Sequence, residues 1–375
     1  MSSGRPVVTT RLFPEVESWA ARTAMLDRSQ FSRRALIRRL VADAPPDGAL
    51  ILEGNVGLQH GYADLIGAGL VRLRRRRPVV LLAEVCWEPG SRRLGRILGP
   101  LHRGGPEGLA FRAPAQRLIG ALDTPDTHYC VLARAEREIF PALWGVDSRR
   151  VHFTPFFHFM DRRVEFPPFL EMLEHDGAAT ANGSVFAGGD SLRDYEPLLA
   201  AATSIPARVT IATTKLQGRA LPENVEAGPM SPLEFYAAMA RASVVVVPLA
   251  GGRVRAAGLL TYLNAMALGK VVILTDSLGV SDYVEDRRTG LIVAEGEPQA
   301  LAEALRWALD PANVAAVRTM AERAREEVRT RYSIDRYLQA LLAIAEHGMD
   351  IRDRRGPVSE QRRFDRCRRA RRGGD

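Results

Sequence analysis

The chain has 375 residues, of which 46% are hydrophobic, so it has enough apolar material for two domains. Its 52 basic and 44 acidic residues give a net charge of +8, but residues 351–375 alone carry ten arginines against four acidic residues. The rest of the chain is therefore close to neutral. This balance argues against a nucleic-acid-binding protein, which needs a basic face on a folded module.

The segment 351–375 has few apolar residues, so we predict a disordered, solubilising tail. Contact of this tail with anionic lipid head groups is the alternative. Cys86, Cys130 and Cys367 are widely spaced and show no metal-binding pattern, which predicts reduced thiols in a cytoplasmic protein. Neither a signal peptide nor an apolar run of about 18 to 20 residues is present, so secretion and membrane insertion are not expected.

In the first half of the chain, short apolar runs alternate with helical segments. The run ALILEG precedes YADLIGAGLVRLRRRR, PVVLLAEVCW precedes SRRLGRILGPL, HYCVLA precedes RAEREIFPALWG, and VHFTPFF follows. Buried strands that alternate with amphipathic helices are typical of βα units in a parallel sheet. We therefore predict an α/β domain here.

Residues 160–183 are rich in proline, glycine and charge, which predicts a domain boundary. The alternation then resumes with SVFAGG, ARVTIATT, SVVVVPL, KVVILTD and GLIVAEG, each with a helix expected after it. Ser231, Pro232 and Glu234 predict a capping box with proline at the first helical position. A long helical segment follows Asp310, with a break expected near Tyr332. The second half is thus predicted to be another parallel α/β domain.

Ligands of open parallel sheets bind beyond the carboxyl ends of the strands, where helix N-termini attract anions. The turn after SVFAGG has Gly188 and Gly189, which allow close approach of a ligand to the backbone. Asp190 or Ser191 is expected to cap the next helix and to place Arg193 in its first turn. A cation opposes the helix dipole there, so the position suggests a phosphate ligand. The alternative is that Arg193 pairs with an acidic neighbour on a solvated face.

Two further turns carry candidate residues for an anion. Lys215 follows the strand in ARVTIATT, although an ordinary loop cation remains the alternative. The stretch VVPLAGGRVRAAGLLTYLNAMALGK places Arg253 in a glycine-containing loop and Gly258 just before a helix that carries Thr261 and Asn264. Small residues before that helix would let a ligand lie on its N-terminus. A basic surface loop would explain the arginines but not the small residues.

The stretch LNAMALGKVVILTDSLGVSDYVEDRRTGLIVAEGEPQALAEALRWALDPANVAAV resembles the carboxyl-terminal half of the family-4 (group 1) glycosyltransferases. The resemblance extends from about Ser184 to Glu346, whereas residues 1–156 show only a compatible topology. It implies the GT-B fold, in which two Rossmann-like parallel-sheet domains face a cleft. The expected divisions are an acceptor-side domain at 1–165, a nucleotide-sugar (donor) domain at 166–331, a helix crossing back at 332–350 and the tail at 351–375.

Two acidic positions of the family pattern are changed in this sequence. The family usually carries two glutamates with seven residues between them; the first contacts the sugar and the second holds the donor ribose. Ala256 and Asn264 stand at these positions. An asparagine side chain can still exchange hydrogen bonds with ribose hydroxyls, without the charge-assisted bond of a carboxylate.

The resemblance implies a role for each candidate residue. Arg193 and Lys215 are expected to stabilise the leaving diphosphate as catalytic cations, and His60 is expected at the acceptor or the donor sugar, with a structural role as its alternative. The predicted donor contacts are Gly188, Gly189, Ser191, Met230, Arg253, Gly258, Leu259, Thr261 and Asn264. No cofactor is expected beyond the nucleotide-sugar co-substrate. No metal is expected either, because no Asp-x-Asp sequence is present to hold a metal on a diphosphate.

The sequence therefore predicts a cytoplasmic glycosyltransferase that moves a sugar from a UDP- or GDP-type donor to an acceptor, with retention and without a metal. The acceptor is open between a small molecule, a glycan and a lipid-linked molecule, and no nucleic acid is expected as a partner. The alternative is a catalytically silent GT-B module that binds a nucleotide sugar or a partner protein. The basic run Arg72 to Arg77 predicts a solvated helix end, with peripheral contact to the inner membrane face as its alternative.

Overall fold

The computed structural model describes residues 4–55, 61–74, 76–87, 119–120, 123–160 and 183–355. The chain divides into two compact units, the first formed by Met1–Thr154 with Leu338–Asp375 and the second by Pro155–Tyr337. The domain boundaries expected from the sequence stay predictions. The predicted helix in SRRLGRILGPL, nearly all of the predicted linker at 160–183 and the tail beyond residue 355 lie outside the described residues.

The first unit is built on a parallel sheet whose described strands are short and buried. Its elements in chain order are β1 (Val7–Thr9), α1 (Glu17–Ala20), β2 (Ala24–Met25), α2 (Arg33–Asp43), β3 (Ala49–Glu53), α3 (Gly61–Val71), β4 (Val79–Ala83), β5 (Thr127–Val131), α4 (Glu136–Trp144) and β6 (Val151–Phe153). The six described strands run in the order β2-β1-β3-β4-β5-β6. Because β2 and β3 lie on opposite sides of β1, the strand order reverses between β1 and β3.

The second unit contains another parallel sheet. Its elements are β7 (Val185–Gly188), α5 (Glu196–Ala202), β8 (Val209–Ala212), β9 (Val225–Gly228), α6 (Pro232–Arg241), β10 (Val244–Val247), α7 (Leu259–Ala267), β11 (Val271–Thr275), β12 (Leu291–Val293), α8 (Pro298–Leu309) and α9 (Val314–Arg331). The helix α10 (Ile334–Arg355) begins in this unit and continues into the first. The strand order is β12-β11-β10-β7-β8-β9, so the order reverses between β7 and β10.

The core of the second unit explains why these runs form strands. Alternate residues, such as Val209 with Ile211 and Val271 with Ile273, pack in one cluster with apolar residues of α5, α8 and α9. Side chains of a strand alternate between its two faces, so both faces of each strand must be apolar when both are covered. The unbroken apolar runs of the sequence are therefore the expected pattern of buried parallel strands.

Several predictions about local structure are confirmed. Ser231 caps α6, with its hydroxyl accepting from the Glu234 backbone N–H and the Glu234 carboxylate accepting from the Ser231 N–H. The long helical segment breaks between Arg331 and Ile334. Helix α7 begins directly after Gly258 and carries Thr261 and Asn264, as expected.

Other predictions are wrong. The short strands β1, β2 and β9 were not expected, and β8 leads to β9 through a turn instead of a helix. Helix α5 begins at Glu196, so Arg193 lies before it and not in its first turn. Neither Asp190 nor Ser191 caps that helix, because Tyr195 occupies the cap position.

Among the residues that the structure describes, none of the helices is both long and apolar enough to cross a lipid bilayer. Cys86 and Cys130 are free cysteines, and burial raises the pKa of the Cys130 thiol to about 12. Cys367 lies outside the described residues.

Candidate functional site

The loops after β7 and β10 meet at the point where the strand order of the second sheet reverses. The Asp194 N–H donates to the Pro248 carbonyl over 3.1 Å, and the Ala250 N–H donates to the Leu192 carbonyl over 3.0 Å. Arg193 and Leu249 form an antiparallel bridge between these hydrogen bonds. Such a reversal is where open α/β sheets bind ligands, because the two connections diverge and leave a crevice.

Arg193 lies almost fully buried in this crevice, with 7% of its surface exposed. Its guanidinium donates from Nε to the Gly188 carbonyl (3.1 Å), from Nη1 to the Ser191 carbonyl (2.9 Å) and from Nη2 to Thr261 Oγ1 (3.1 Å). Among the described residues, no carboxylate forms an ion pair with it. Burial is the largest influence on its pKa and lowers it, because the charged form loses hydration.

Two glycines lie in close contact with their neighbours beside the Arg193 guanidinium. Gly189 and Gly258 have φ values of 105° and 78°, in the left-handed region that favours glycine. A Cβ on Gly189 would lie 3.1 Å from Arg193 Nη2, and a Cβ on Gly258 would lie 3.0 Å from the side chains of Leu249 and Val247. A side chain at either position would therefore crowd these neighbours.

Helix α7 begins at this crevice. Gly258 is its N-cap and has no side chain to satisfy the first backbone N–H groups. Leu259 and Thr261 in its first turn are buried. The free N–H groups and the dipole of a helix N-terminus favour an anion. The buried cation and the uncapped helix end therefore converge on one place.

Lys215 approaches the same crevice from the loop after β8. Its Nζ donates to the Arg193 carbonyl over 2.6 Å. Partial burial lowers the pKa of Lys215, with nearby Arg193 and Arg253 acting in the same direction. The loop is held by Asp190, whose carboxylate accepts from the hydroxyls of Thr213 (2.5 Å) and Thr214 (2.8 Å). The structure thus brings Lys215 to the main chain of Arg193.

Asn264 has partners inside the protein. Its side chain is fully buried, Oδ1 accepts from the Phe159 N–H over 2.8 Å, and Nδ2 lies 3.3 Å from the Tyr236 hydroxyl. The segment around Phe159 is also held by the Tyr283 hydroxyl, which accepts from the Phe156 N–H. Both ends of the Asn264 amide are therefore engaged in this structure. The expected contact of Asn264 with a ribose stays a prediction. It requires the hydrogen bonds to Phe159 and Tyr236 to be replaced by hydrogen bonds to the ribose.

The remaining predicted contacts are more peripheral. Ser191 faces Arg255, whose Nη2 lies 3.4 Å from its hydroxyl, and Arg253 is exposed in the loop before α7. Met230 is half-buried between β9 and α6, and β9 is an edge strand two places from β7. His60 lies outside the described residues. The structure thus brings together Gly188, Gly189, Ser191, Arg193, Lys215, Gly258, Leu259 and Thr261.

A second group of charged side chains lies where the strand order of the first sheet reverses. The Arg11 guanidinium forms ion pairs with both Glu53, at the end of β3, and Glu84, just after β4. Glu84 has a φ of 57°, an unusual value for a residue other than glycine. Asp64 accepts from the Thr10 hydroxyl over 2.6 Å, and burial raises its pKa to about 6. The sequence analysis missed Arg11 and Asp64, because no local pattern marks an ion pair between distant residues.

Two open parallel α/β units, each with a reversal of its strand order, define the doubly wound, Rossmann-like class of fold. Residues 192–311 match the sequence model of the family described as "Glycosyl transferases group 1". This match lies within the stretch for which the sequence analysis noted a resemblance to the same family, and it covers about a third of the chain. No curated protein matches the chain.

Solved structures show the same fold over nearly the whole chain. Anabaena Alr3699/HepE in complex with UDP-glucose has a TM-score of 0.61 at 12% identity, covering 92% of this chain and 100% of its own. Sucrose-phosphate synthase from Thermosynechococcus elongatus has a TM-score of 0.58 at 16% identity, covering 92% and 99%. A glycosyltransferase from Rickettsia africae has a TM-score of 0.55 at 10% identity, covering 92% and 90%. At these identities the likeness shows the fold, so the predicted GT-B fold of two Rossmann-like units is confirmed.

Proposed function

We propose that the crevice between the β7 and β10 loops binds the diphosphate of a nucleotide sugar, and that the protein transfers the sugar to an acceptor. The observation that carries the proposal is Arg193, a buried guanidinium without a carboxylate partner among the described residues. A buried charge is costly unless it is paired. A diphosphate would supply the missing negative charge, and the α7 N-terminus would add hydrogen-bond donors.

The crevice also suggests how the chain would help the reaction. Negative charge builds on the diphosphate as the bond to the sugar breaks, and fixed cations and backbone dipoles stabilise that charge. Arg193 is held by three acceptors and needs little rearrangement to receive it. Lys215 would supply a second cation. Because side chains provide this charge, we propose a reaction that does not depend on a metal.

The nature of the donor is suggested by a relative. The Anabaena HepE structures contain UDP-glucose, or UDP and glucose. We therefore propose a UDP-type donor first and a GDP-type donor second. The acceptor is proposed to be a small molecule, a glycan or a lipid-linked molecule, used at the cytoplasmic side. Retention of configuration is proposed from the family resemblance alone.

The test is thermal unfolding with a panel of UDP- and GDP-sugars. A ligand at about 100 times its dissociation constant should add roughly 2.7 kcal/mol to the free energy of unfolding. Arg193→Gln and Lys215→Met should each weaken binding at least about tenfold, which corresponds to roughly 1.4 kcal/mol. Arg288→Gln is the matched control, because this exposed arginine of the same unit pairs with Glu285 before the start of β12, whereas the crevice lies beyond the ends of β7 and β10. If no nucleotide sugar raises the melting temperature, the proposed site is wrong.

The silent module remains the second candidate, and Asn264 is the observation that favours it. A neutral, internally bonded side chain stands where the family pattern has an acid. A protein of this kind would bind a nucleotide sugar without breaking it. Release of free UDP or GDP from the stabilising sugar nucleotide, measured with and without EDTA, separates the two functions. Release that persists in EDTA supports metal-independent catalysis.

A further inference from the structure

A groove lies between α8, α9 and the start of β12 in the second unit. Its volume is about 370 Å³, within the range of about 300–1,000 Å³ that small-molecule sites occupy. Leu291 and Met320 line it with buried side chains, and Trp307 lines it with a half-buried indole. On α9, Ala315 and Ala316 are too small to fill it. The groove can therefore receive an apolar or aromatic group.

Two arginines line the same groove, and none of the described residues that line it is acidic. Arg323 lies on α9 and forms no ion pair with any described residue. Arg287 lies in the turn before β12 and has 81% of its side chain exposed. Its Nε is 3.9 Å from the Asp286 carboxylate, which is too far for a hydrogen bond. The two arginines thus give the groove a positive charge that its lining residues do not balance.

The backbone of Arg287 has an unusual conformation. Its φ is 58°, in the left-handed region that favours glycine. The residue belongs to a tight turn, in which the Arg287 N–H donates to the Gly290 carbonyl over 2.7 Å. The Asp286 carboxylate closes the same turn and accepts from the Ile292 N–H over 2.8 Å. A glycine would fit this turn with less strain, so the turn itself does not explain an arginine at this position.

The next residue of the turn, Arg288, differs from Arg287 in its surroundings. Its Nη1 lies 2.6 Å from a carboxylate oxygen of Glu285 and 3.6 Å from one of Glu327. Arg288 is not among the residues that line the groove. Two adjacent arginines thus have different environments, because one pairs with acidic side chains and the other lines the groove.

The groove is separate from the crevice of the proposed function. The crevice is formed by the loops after β7 and β10, and none of the residues placed there lines the groove. The strand at the groove, β12, is an edge strand of the described sheet and lies two places from β10. A ligand in the groove would therefore be a second ligand, and its binding does not depend on the nucleotide-sugar site.

We propose that this groove binds a small anion that has an aromatic or apolar part. The apolar part would lie against Trp307, Leu291 and Met320. The anionic group, a carboxylate, phosphate or sulfonate, would meet Arg287 and Arg323, because guanidinium groups form charge-assisted hydrogen bonds with such anions. A neutral molecule would leave the two cations unused. An anion without an apolar part would leave the indole in contact with water.

The test is a fluorescence titration of the full chain with anilinonaphthalene sulfonate, an aromatic anion whose emission rises in apolar surroundings. Phenylnaphthylamine has the same rings without the sulfonate and is the matched neutral probe. The wild type should bind the anionic probe at a saturable site. This binding should weaken as salt is raised, because salt screens the arginines.

Variants of the two arginines separate charge from apolar contact. Arg287→Gly removes one cation and relieves the strain of the turn, so its melting temperature should be no lower than that of the wild type. Combined with Arg323→Gln, it should raise the dissociation constant of the anionic probe at least about tenfold and change that of the neutral probe less than about twofold. Arg288→Gln is the matched control and should bind both probes like the wild type.

A variant of α9 tests the groove itself. Ala316→Phe should weaken the binding of both probes, because its ring would fill the groove. The proposal is overturned if the wild type shows no saturable binding of the anionic probe, or if the double arginine variant binds that probe as tightly as the wild type.

Two further outcomes would assign the groove or the signal to something else. Arg193→Gln should bind the anionic probe like the wild type, and a loss of binding would place the probe in the crevice and overturn the proposal. The proposal is also overturned if gel filtration shows a dimer that Ala316→Phe converts to a monomer. That result would identify the groove as a contact between two copies of the chain.

Discussion

Arg193 Nη2 donates to Thr261 Oγ1 over 3.1 Å, and this hydrogen bond joins the loop after β7 to the first turn of α7. The two residues are 68 positions apart in the chain. The bond fixes a buried guanidinium at the N-terminus of a helix, which is the geometry on which the proposed diphosphate site depends. It also leads to a direct test of how that cation is held.

We expect Thr261→Val to lower the free energy of unfolding by about 1.5–3 kcal/mol in the absence of nucleotide, because a hydrogen bond to a buried charge is lost. Thr261→Ser keeps the hydroxyl and should lose less. The measurement is urea unfolding of both variants. Equal stability of Thr261→Val and the wild type would show that Thr261 does not hold Arg193.

Asn264 gives a prediction that separates a structural role from a ligand contact. Asn264→Leu leaves the Phe159 N–H and the Tyr236 hydroxyl without this partner, so we expect a loss of about 1–3 kcal/mol in the free energy of unfolding. Tyr236→Phe removes only one of the two bonds and should cost less. If Asn264→Leu keeps the stability of the wild type but loses affinity for a nucleotide sugar, the side chain serves the ribose instead.

The ion pairs of Arg11 should matter for the stability of the first unit. Arg11→Met leaves Glu53 and Glu84 buried without this cation, so we expect a loss of about 3–5 kcal/mol in the free energy of unfolding. Glu84→Gln keeps the pair with Glu53 and is the milder control. Guanidinium unfolding of the two variants provides the measurement, and a smaller loss for Arg11→Met than for Glu84→Gln would contradict this account.

Two stacked histidines of the first unit predict a dependence of stability on pH. His128 Nδ1 and His152 Nε2 are 2.9 Å apart. Burial is the main cause that lowers their pKa values from 6.5, to about 3 for His128 and about 4 for His152. The nearby His152, Arg150, His347 and Arg355 also disfavour charge on His128, and His347 and Arg137 disfavour charge on His152. Below pH 6.5 the unfolded chain therefore binds protons that the folded chain does not bind.

The free energy of unfolding should consequently decrease as the pH falls from about 6.5 towards about 3. Each imidazole contributes at most about 1.36 kcal/mol per pH unit. Asp64 acts in the opposite direction, because burial raises its pKa in the folded chain from 3.8 to about 6. Its contribution to the free energy of unfolding therefore falls as the pH rises from about 3.8 to about 6. Comparison of His152→Asn with the wild type cancels the Asp64 effect. The variant should show a shallower decrease with acid, and an unchanged slope would contradict the prediction.

The sequence by itself determined the local elements. Apolar runs such as Val244–Val247 form buried strands because every side chain on both faces must be apolar. The capping box of Ser231 and Glu234 and the break before Ile334 depend on residues within a few positions of each other. Ala24–Met25 escaped prediction because it is only two residues long, and Val225–Gly228 because its sequence VEAG is not an unbroken apolar run.

Only the tertiary structure decided the partners of the polar side chains. The sequence placed Arg193 on a helix, whereas the folded chain buries it before α5 against Gly188 and Thr261. No local pattern pairs Glu84 with a cation, and the fold supplies Arg11, 73 residues away. The local pattern of apolar and polar residues reflects the period of a helix or strand and the face that is buried, and both repeat regularly along an element. Hydrogen bonds and ion pairs between distant residues depend on which strands are neighbours in the sheet, because neighbouring strands bring their ends together. That strand order is set by packing over the whole unit.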